Sequence, residues 1–453
     1  MKAISLELDG RENDFLYVKL YDEIKKNIIS GDMAAGEKLP SLRQLSKELG
    51  ISITTTQLAY DQLRVEGYVY AKPNSGYFVE NIRSTPIETA GEYSDTESDV
   101  ENESYEYIHD PSCFDFAKWK KCMSKVFNEH QSSLLFESNP QGERALRLEI
   151  SKYIYRSRGV SAGADRIVIG AGTQQITSHL SRILLRLGIN LVSLEAPGYL
   201  PVQSMFRDAG FTVCHIPVMQ DGINIDKLPA NVSSAVYVSP SNQFPTGAVM
   251  PVGRRYELLE WAERNGSVII EDDYDSELRY FGKPLPALQG LDSKSSVVYL
   301  GSFSSTLFPA IKISYMVLPE NMAEIYRKVK HEYTQTCSKA EQLALAIFME
   351  EGYYYTGIRR MRSLFARKLD IALAAIEKHM GDRLISMNTR SGITLNLRLR
   401  ESGDEEELIE KARAIGLQMV PVADITDQDT SALAFYYSRL PIEIIEEKIA
   451  ELK

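Results

Sequence analysis

The chain has 453 residues, 44% of them hydrophobic and 25% charged, with a formal net charge of −11. That composition is ordinary for a globular protein of about three domains, and no apolar run reaches the roughly 18 residues a membrane span needs. Met1–Asp14 lacks the apolar core of a secretion signal, the four cysteines (Cys113, Cys122, Cys214, Cys337) form no CxxC pair, and the six histidines fall at no ligand spacing, so a reduced, cytoplasmic protein without a structural metal is expected.

Residues 15–80 form a compact, well-punctuated unit. Leu20, Ile24 and Ile28 recur every four residues beside Tyr17 and Tyr21, the apolar face of a first helix. In LPSLRQLSKELG, Ser41 stands as N-cap with Gln44 three residues on, Leu42, Leu45 and Leu49 supply a buried stripe, and Gly50 stops the helix. Only Ile51 and Ser52 separate it from a third helix, Ile53 to Glu66, so the two must cross sharply as a helix-turn-helix. YVYAKPNSGYFV then alternates around a Pro-Asn-Ser-Gly turn as a two-stranded wing.

This arrangement, taken as residues 1–81, predicts a domain for a double-stranded DNA operator, with the third helix in the major groove. Thr54, Thr55, Thr56 and Gln57 would meet phosphates and base edges, and Arg43, Lys47, Arg64 and Lys72 would contact phosphates. A protein-binding module whose threonines merely cap a helix is the alternative.

Residues 82–110 carry one arginine against nine acids and read as a solvated linker, extended by its own repulsion. From 111 to about 330, short apolar runs alternate with helices, the pattern of a parallel sheet buried on both faces with its site at the carboxyl ends of the strands. Residues 331–453 are helix-rich, then carry ITLNLRLR, LQMVPVA and ALAFYYSRL, a smaller α+β domain.

The strand ends carry the chemistry. GAGTQ after IVI begins a helix and offers backbone N–H groups with the Thr173 hydroxyl, a phosphate cradle. EAPGYLP places Tyr199 where an aromatic could stack on a flat ring, although a core tyrosine fits equally. SPSNQFPTG sets Asn242 and Gln243 on a proline-rich loop, and VIIEDDYDSE brings Glu271, Asp272, Asp273, Tyr274 and Asp275 to the next strand end. One such carboxylate facing a heteroaromatic nitrogen keeps it protonated and makes the ring an electron sink. GSFSS adds the Ser302 and Ser304 hydroxyls, and Lys312 a cation. Cradle, stacking ring, acid and second phosphate loop together describe a site for pyridoxal 5'-phosphate.

GEKLPSLRQLSKELGISITTTQLAYDQLRVEGY and SGYFV resemble the winged helix of the GntR regulators. NPQGERALRLEISKYIYRSRGV, GAGTQQ, EAPGY, SPSNQFPTG, IIEDDYDSELRY and GSFSSTLFPAIKISYMVLP resemble the fold-type I aminotransferase-like domain that is fused to such a winged helix in the MocR regulators. The resemblance implies Tyr199 stacked on the ring, Asp272 rather than Asp273 at the pyridine nitrogen, and Tyr274 near the ring hydroxyl. It implies Thr173, Gln174, Ser302 and Ser304 around the phosphate, and Arg439 receiving an effector carboxylate.

Three positions depart from the family pattern. Ile53 stands where an arginine is usual in the helix-turn-helix, Ser305 occupies the Schiff-base lysine position, and Lys312 replaces the phosphate-clamping arginine. An alcohol forms no imine with an aldehyde and cannot shuttle the proton an amine would. The expectation is therefore a homodimeric transcriptional regulator that senses a small amino acid, amine or vitamin B6 form, with pyridoxal 5'-phosphate non-covalent if bound. The alternative is a pyridoxal-phosphate aminotransferase with a fused DNA-binding domain.

Overall fold

The computed structural model describes residues 16–73, 75–81, 108–280, 285–387, 392–400, 405–425 and 432–453. They divide between two compact units, 1–101 and 102–453. Most of the acidic stretch expected to be a linker lies outside the described residues.

In the first unit, α1 (Leu16–Ile29), α2 (Leu42–Leu49) and α3 (Ile53–Val65) precede the antiparallel pair β1 (Val69–Lys72) and β2 (Gly76–Val79), registered Lys72 opposite Gly76. Ser41 Oγ accepts from the Gln44 amide at 3.2 Å, and Gly50 ends α2 in the left-handed region at φ 65°. The reciprocal half of the capping box is not made, because the Gln44 side chain donates to Glu48 Oε1 at 2.9 Å instead. Of the three α2 leucines only Leu45 is fully buried; Leu42 and Leu49 flank a core built on Leu20, Ile24, Ala59, Tyr60 and Leu63.

The second unit is organised on an eight-stranded sheet. Its strands are β3 (Ile167–Ala171), β4 (Leu191–Ala196), β5 (Thr212–Met219), β6 (Gly222–Ile223), β7 (Ala235–Val238), β8 (Val268–Asp272), β9 (Val297–Ser302) and β10 (Ile313–Val317). They lie in the order β3-β10-β9-β8-β7-β4-β5-β6. Neighbours β9, β8, β7, β4 and β5 are parallel, but β10 runs antiparallel to both β3 and β9, and β6 antiparallel to β5. The expected parallel sheet is therefore mixed. Physically, the link Phe303–Lys312 is too short for a crossover, which takes a dozen or more residues, so β10 must turn back beside β9.

Successive residues enter different cores: Ile167 and Ile169 with Tyr299 on one face, Val168 with Val298 and Leu300 on the other. That is why these strands read as continuous apolar runs. The remaining strands, β11 (Leu384–Ser386), β12 (Leu395–Leu399), β13 (Met419–Pro421) and β14 (Ala432–Phe435), form an antiparallel sheet ordered β11-β12-β14-β13. Its core includes Leu369, Ala372 and Ile376 of the long helix Tyr353–Met380. Among the described residues no helix is long and apolar enough to cross a membrane, and no group of His, Cys, Asp and Glu could hold a metal ion.

Candidate functional site

The carboxyl ends of β3, β4, β7, β8 and β9 converge on a cavity of about 570 Å³. Part of its lining carries the donors that could hold an anion. Gly172, at φ 84°, turns β3 into the helix Gly172–Arg186, whose first turn presents Thr173 and Gln174 to the cavity. Across from them, β9 ends in Ser302, whose Oγ accepts from the Ser314 hydroxyl at 3.0 Å and the Ser304 amide at 3.3 Å. With both acceptor positions used, the Ser302 O–H remains as a donor. Ser304 and Lys312 complete this part of the lining.

The lining also carries acids. Asp272 closes β8 facing the cavity and accepts from the Tyr237 hydroxyl at 2.6 Å; burial pushes its carboxyl up to about 6, against the Tyr237 bond. Asp273, one residue on, faces away. It is gripped by Arg158 through bonds of 2.7 and 2.8 Å, and accepts from Tyr299 at 2.6 Å and Ser276 at 2.9 Å. Burial alone would raise Asp273, but the Arg158 charge overrides it and holds the carboxyl below its usual range. Of the two adjacent acids, Asp272 is the one on the cavity.

Glu195, at the end of β4, adds a third carboxyl: Oε2 accepts from the Ser239 amide at 3.1 Å, while the buried Oε1 has no hydrogen-bond partner. Burial pushes it up to about 8. Tyr199 lines the cavity and keeps 47% of its surface exposed, so it is a ring on offer rather than a core tyrosine. Tyr274 also lines the wall, its hydroxyl raised by burial and by Asp275.

Some candidates sit elsewhere. Asn242 is 6% exposed and does not line the cavity; its neighbour Gln243 braces two loops, donating to the Pro197 and Phe244 carbonyls, each at 2.7 Å. Arg439 stands one layer back, its guanidinium donating to Gln418 and lying 4.5 Å from the ring centre of Tyr436, which does line the cavity. Ser305 is half-buried just off the lining, with its hydroxyl against the Asp275 carboxyl.

Glu195, Tyr237, Thr394 and Tyr436 line the cavity without having been singled out. Glu195 was legible as the acid ending the strand in EAPGY. Tyr237, in the middle of an apolar run, carried no such signal.

On the winged helix, Arg43, Lys47, Thr54, Gln57, Arg64 and Lys72 are exposed. Thr55 is half-buried and shares its hydroxyl with the Ser52 cap at 2.7 Å. Thr56 corrects the expectation of a DNA-facing residue: it is 0% exposed, in the buried stripe with Ala59, Tyr60 and Leu63, and donates to the Ser52 carbonyl at 3.3 Å.

An anion cradle with a free hydroxyl donor, an acid braced by a tyrosine and an exposed ring fit the phosphate, ring nitrogen and face of a pyridoxal-type cofactor. Its covalent attachment is what they do not fit, since Ser305 carries no amine. Residues 16–79 match the gntR family of bacterial regulatory proteins, and residues 104–426 match aminotransferase class I and II. The chain belongs to the HTH-type transcriptional regulators that join these two parts. It is 37% identical over 422 residues to the HTH-type transcriptional regulator YdeL of Bacillus subtilis, covering 90% of this chain and 89% of that one. To the probable rhizopine catabolism regulatory protein MocR of Rhizobium meliloti it is 29% identical, covering 92% and 88%. Among solved structures, kynurenine aminotransferase from Pyrococcus horikoshii superposes with a TM-score of 0.67 at 24% identity, over 76% of this chain and 88% of that one, a likeness of fold.

Proposed function

We propose that the protein is a cytoplasmic, homodimeric transcription regulator that binds an operator through residues 1–81. Its cavity holds a vitamin B6 phosphate without a covalent bond and senses a small amino acid or amine. The observation that carries this reading is a cradle-and-acid cavity whose neighbouring loop has Ser305 where attachment would require an amine. Thr173, Gln174, Ser302 and Ser304 hold the phosphate by hydrogen bonds, Lys312 neutralises part of its charge, Asp272 accepts from the ring nitrogen, and Tyr199 covers the ring face. When bound, such a ring supplies an electron sink. Ser305 supplies no amine to move the proton that transamination requires.

An effector carboxylate is assigned to Arg439, which would exchange its bond to Gln418 for it. The runner-up, an aminotransferase with a fused DNA-binding domain, is favoured by the retained Asp272–Tyr237 pair and opposed by Ser305.

The test is a mobility-shift assay on DNA upstream of the gene, with full-length protein and a variant lacking residues 1–81. The expected result is a salt-sensitive complex at two half-sites spaced by whole helical turns, lost in the deletion. A shift that survives the deletion, or measurable transaminase turnover, would overturn the reading.

A further inference from the structure

Resting on the reading that residues 1–81 bind an operator, we infer that the protein reads a thymine and a nearby adenine in each half-site. Ile53 packs on the thymine C5-methyl group, and Gln57 takes the adenine edge.

The first ground is elimination along α3. A recognition helix meets base edges with its N-terminal residues. Arginine and lysine, the usual partners of guanine, are missing from α3 until Arg64 in its last turn. The first turn holds no acid to accept from a cytosine amine, and Asp61, further on, is paired with Arg64 at 3.2 Å. The hydroxyls are partly spent too. Ser52 Oγ accepts from the Thr55 amide at 3.0 Å and shares a hydrogen bond with the Thr55 hydroxyl, while Thr56 is buried. Ile53, Thr54 and Gln57 remain, all exposed.

The second ground is that Ile53 has no place in the core. Ile51, two residues earlier, packs against the hydrophobic cluster of this unit, whereas Ile53 lies outside it and is 48% exposed. In the major groove the thymine methyl is the apolar landmark, and covering it with an aliphatic side chain takes both surfaces out of water. Leu58 is as exposed as Ile53, but at 100° per residue it lies about 140° around the helix from it. Gln57 is only about 40° away and shares the Ile53 face.

The third ground is the free carboxamide of Gln57. Gln44 donates to Glu48 at 2.9 Å and Gln62 to Glu66 at 2.7 Å, each tying itself to its own helix. Four residues beyond Gln57 stands Asp61, which is taken by Arg64. Among the described residues the Gln57 side chain has no hydrogen-bond partner, so its acceptor and donors are available together for N6–H and N7 of adenine. Side chains one turn apart are separated by about 5–6 Å, so the two bases fall within about two base pairs of each other.

The test is fluorescence anisotropy with the full-length protein and the operator duplex that footprinting of the upstream DNA defines. Each half-site thymine is replaced in turn by deoxyuridine, which lacks only the methyl group, and each adenine by 7-deazaadenine, which lacks the N7 acceptor. With the natural protein, deoxyuridine at one thymine per half-site should weaken binding about threefold to fivefold, the worth of one buried methyl group. Deazaadenine at an adenine close by should weaken it roughly twofold to tenfold, the worth of one hydrogen bond. Ile53→Ala should erase the deoxyuridine penalty and keep the other; Gln57→Ala should do the reverse. Both side chains are exposed, so both variants should fold. Tolerance of deoxyuridine at every thymine, or a penalty undiminished in its matching variant, would overturn the inference and leave the operator reading standing. A natural protein that binds no upstream DNA would overturn both.

Discussion

Replacing Asp272 and Asp273 one at a time by asparagine separates a ligand contact from a structural one. Asp273→Asn leaves the Arg158 guanidinium, 4% exposed, without its anionic partner and hydrogen-bonded to neutral acceptors, the new asparagine carbonyl together with the Ser241 hydroxyl and the Leu285 carbonyl. Breaking a buried pair from one side costs about 3–5 kcal/mol, so thermal melts followed by circular dichroism should drop by several degrees. Asp272→Asn keeps an oxygen that can still accept from Tyr237, and its stability should change by less than about 1 kcal/mol. Ligand affinity should show the opposite order. Losing a charge-assisted bond to a ring N–H is worth about 1.5–3 kcal/mol, a roughly tenfold to 150-fold rise in the calorimetric Kd for pyridoxamine 5'-phosphate, in Asp272→Asn alone. An Asp273→Asn protein that melts normally but binds ligand as weakly as Asp272→Asn would refute the assignment of the two acids.

Ser305→Lys should turn the protein yellow with pyridoxal 5'-phosphate and allow borohydride to fix the cofactor to the chain; Ser305→Lys with Lys312→Arg should bind more tightly still, because the guanidinium fork grips a phosphate at two points. Arg439→Ala should abolish the effector's influence on operator binding while leaving ligand-free DNA affinity within about twofold, read by fluorescence anisotropy; loss of DNA binding by the folded variant would contradict it. Glu195, Asp272 and Asp275, raised by burial to about 8, 6 and 7, hold their protons more tightly folded than unfolded, where carboxylates titrate near 4. The ligand-free protein should therefore lose stability as pH rises from about 4 to about 8, and Glu195→Gln should flatten the upper part of that slope; melting curves that keep the slope would rule Glu195 out as its source.

What the sequence made legible follows from how local each signal is. Ser41, Gly50 and Ser52 act within a few residues of themselves, and the helix-turn-helix they delimit is where their spacing puts it. The cradle was legible for the same reason: Gly172, Thr173 and Gln174 are consecutive, as are Ser302 to Ser304. Thr56 looked like its neighbours Thr54 and Thr55 until its spacing of three, four and seven residues to Ala59, Tyr60 and Leu63 is weighed, and that spacing is what buries it. The separation of Asp272 from Asp273 depends on Arg158, 115 residues away from Asp273, a pairing that no local pattern encodes. Tyr436, which comes between Arg439 and the cavity, is likewise a product of tertiary packing. The mixed direction of the sheet could have been read, because the ten residues between β9 and β10 rule out a crossover.

The hairpin of β9 and β10 has an evolutionary meaning. Ser302 and Ser314 lie opposite each other in the register and are joined through their hydroxyls, and the chain between them leaves β9 at Ser302 and rejoins β10 just after Lys312. Both cavity-facing ends of the loop are thus fastened to the sheet, and position 305 lies on the span between. On the proposed reading of the cavity, affinity for the cofactor would reside in the fixed ends and reactivity in the span. An enzyme scaffold of this kind can shed its chemistry by one substitution and keep its pocket, which makes it ready stock for a receptor.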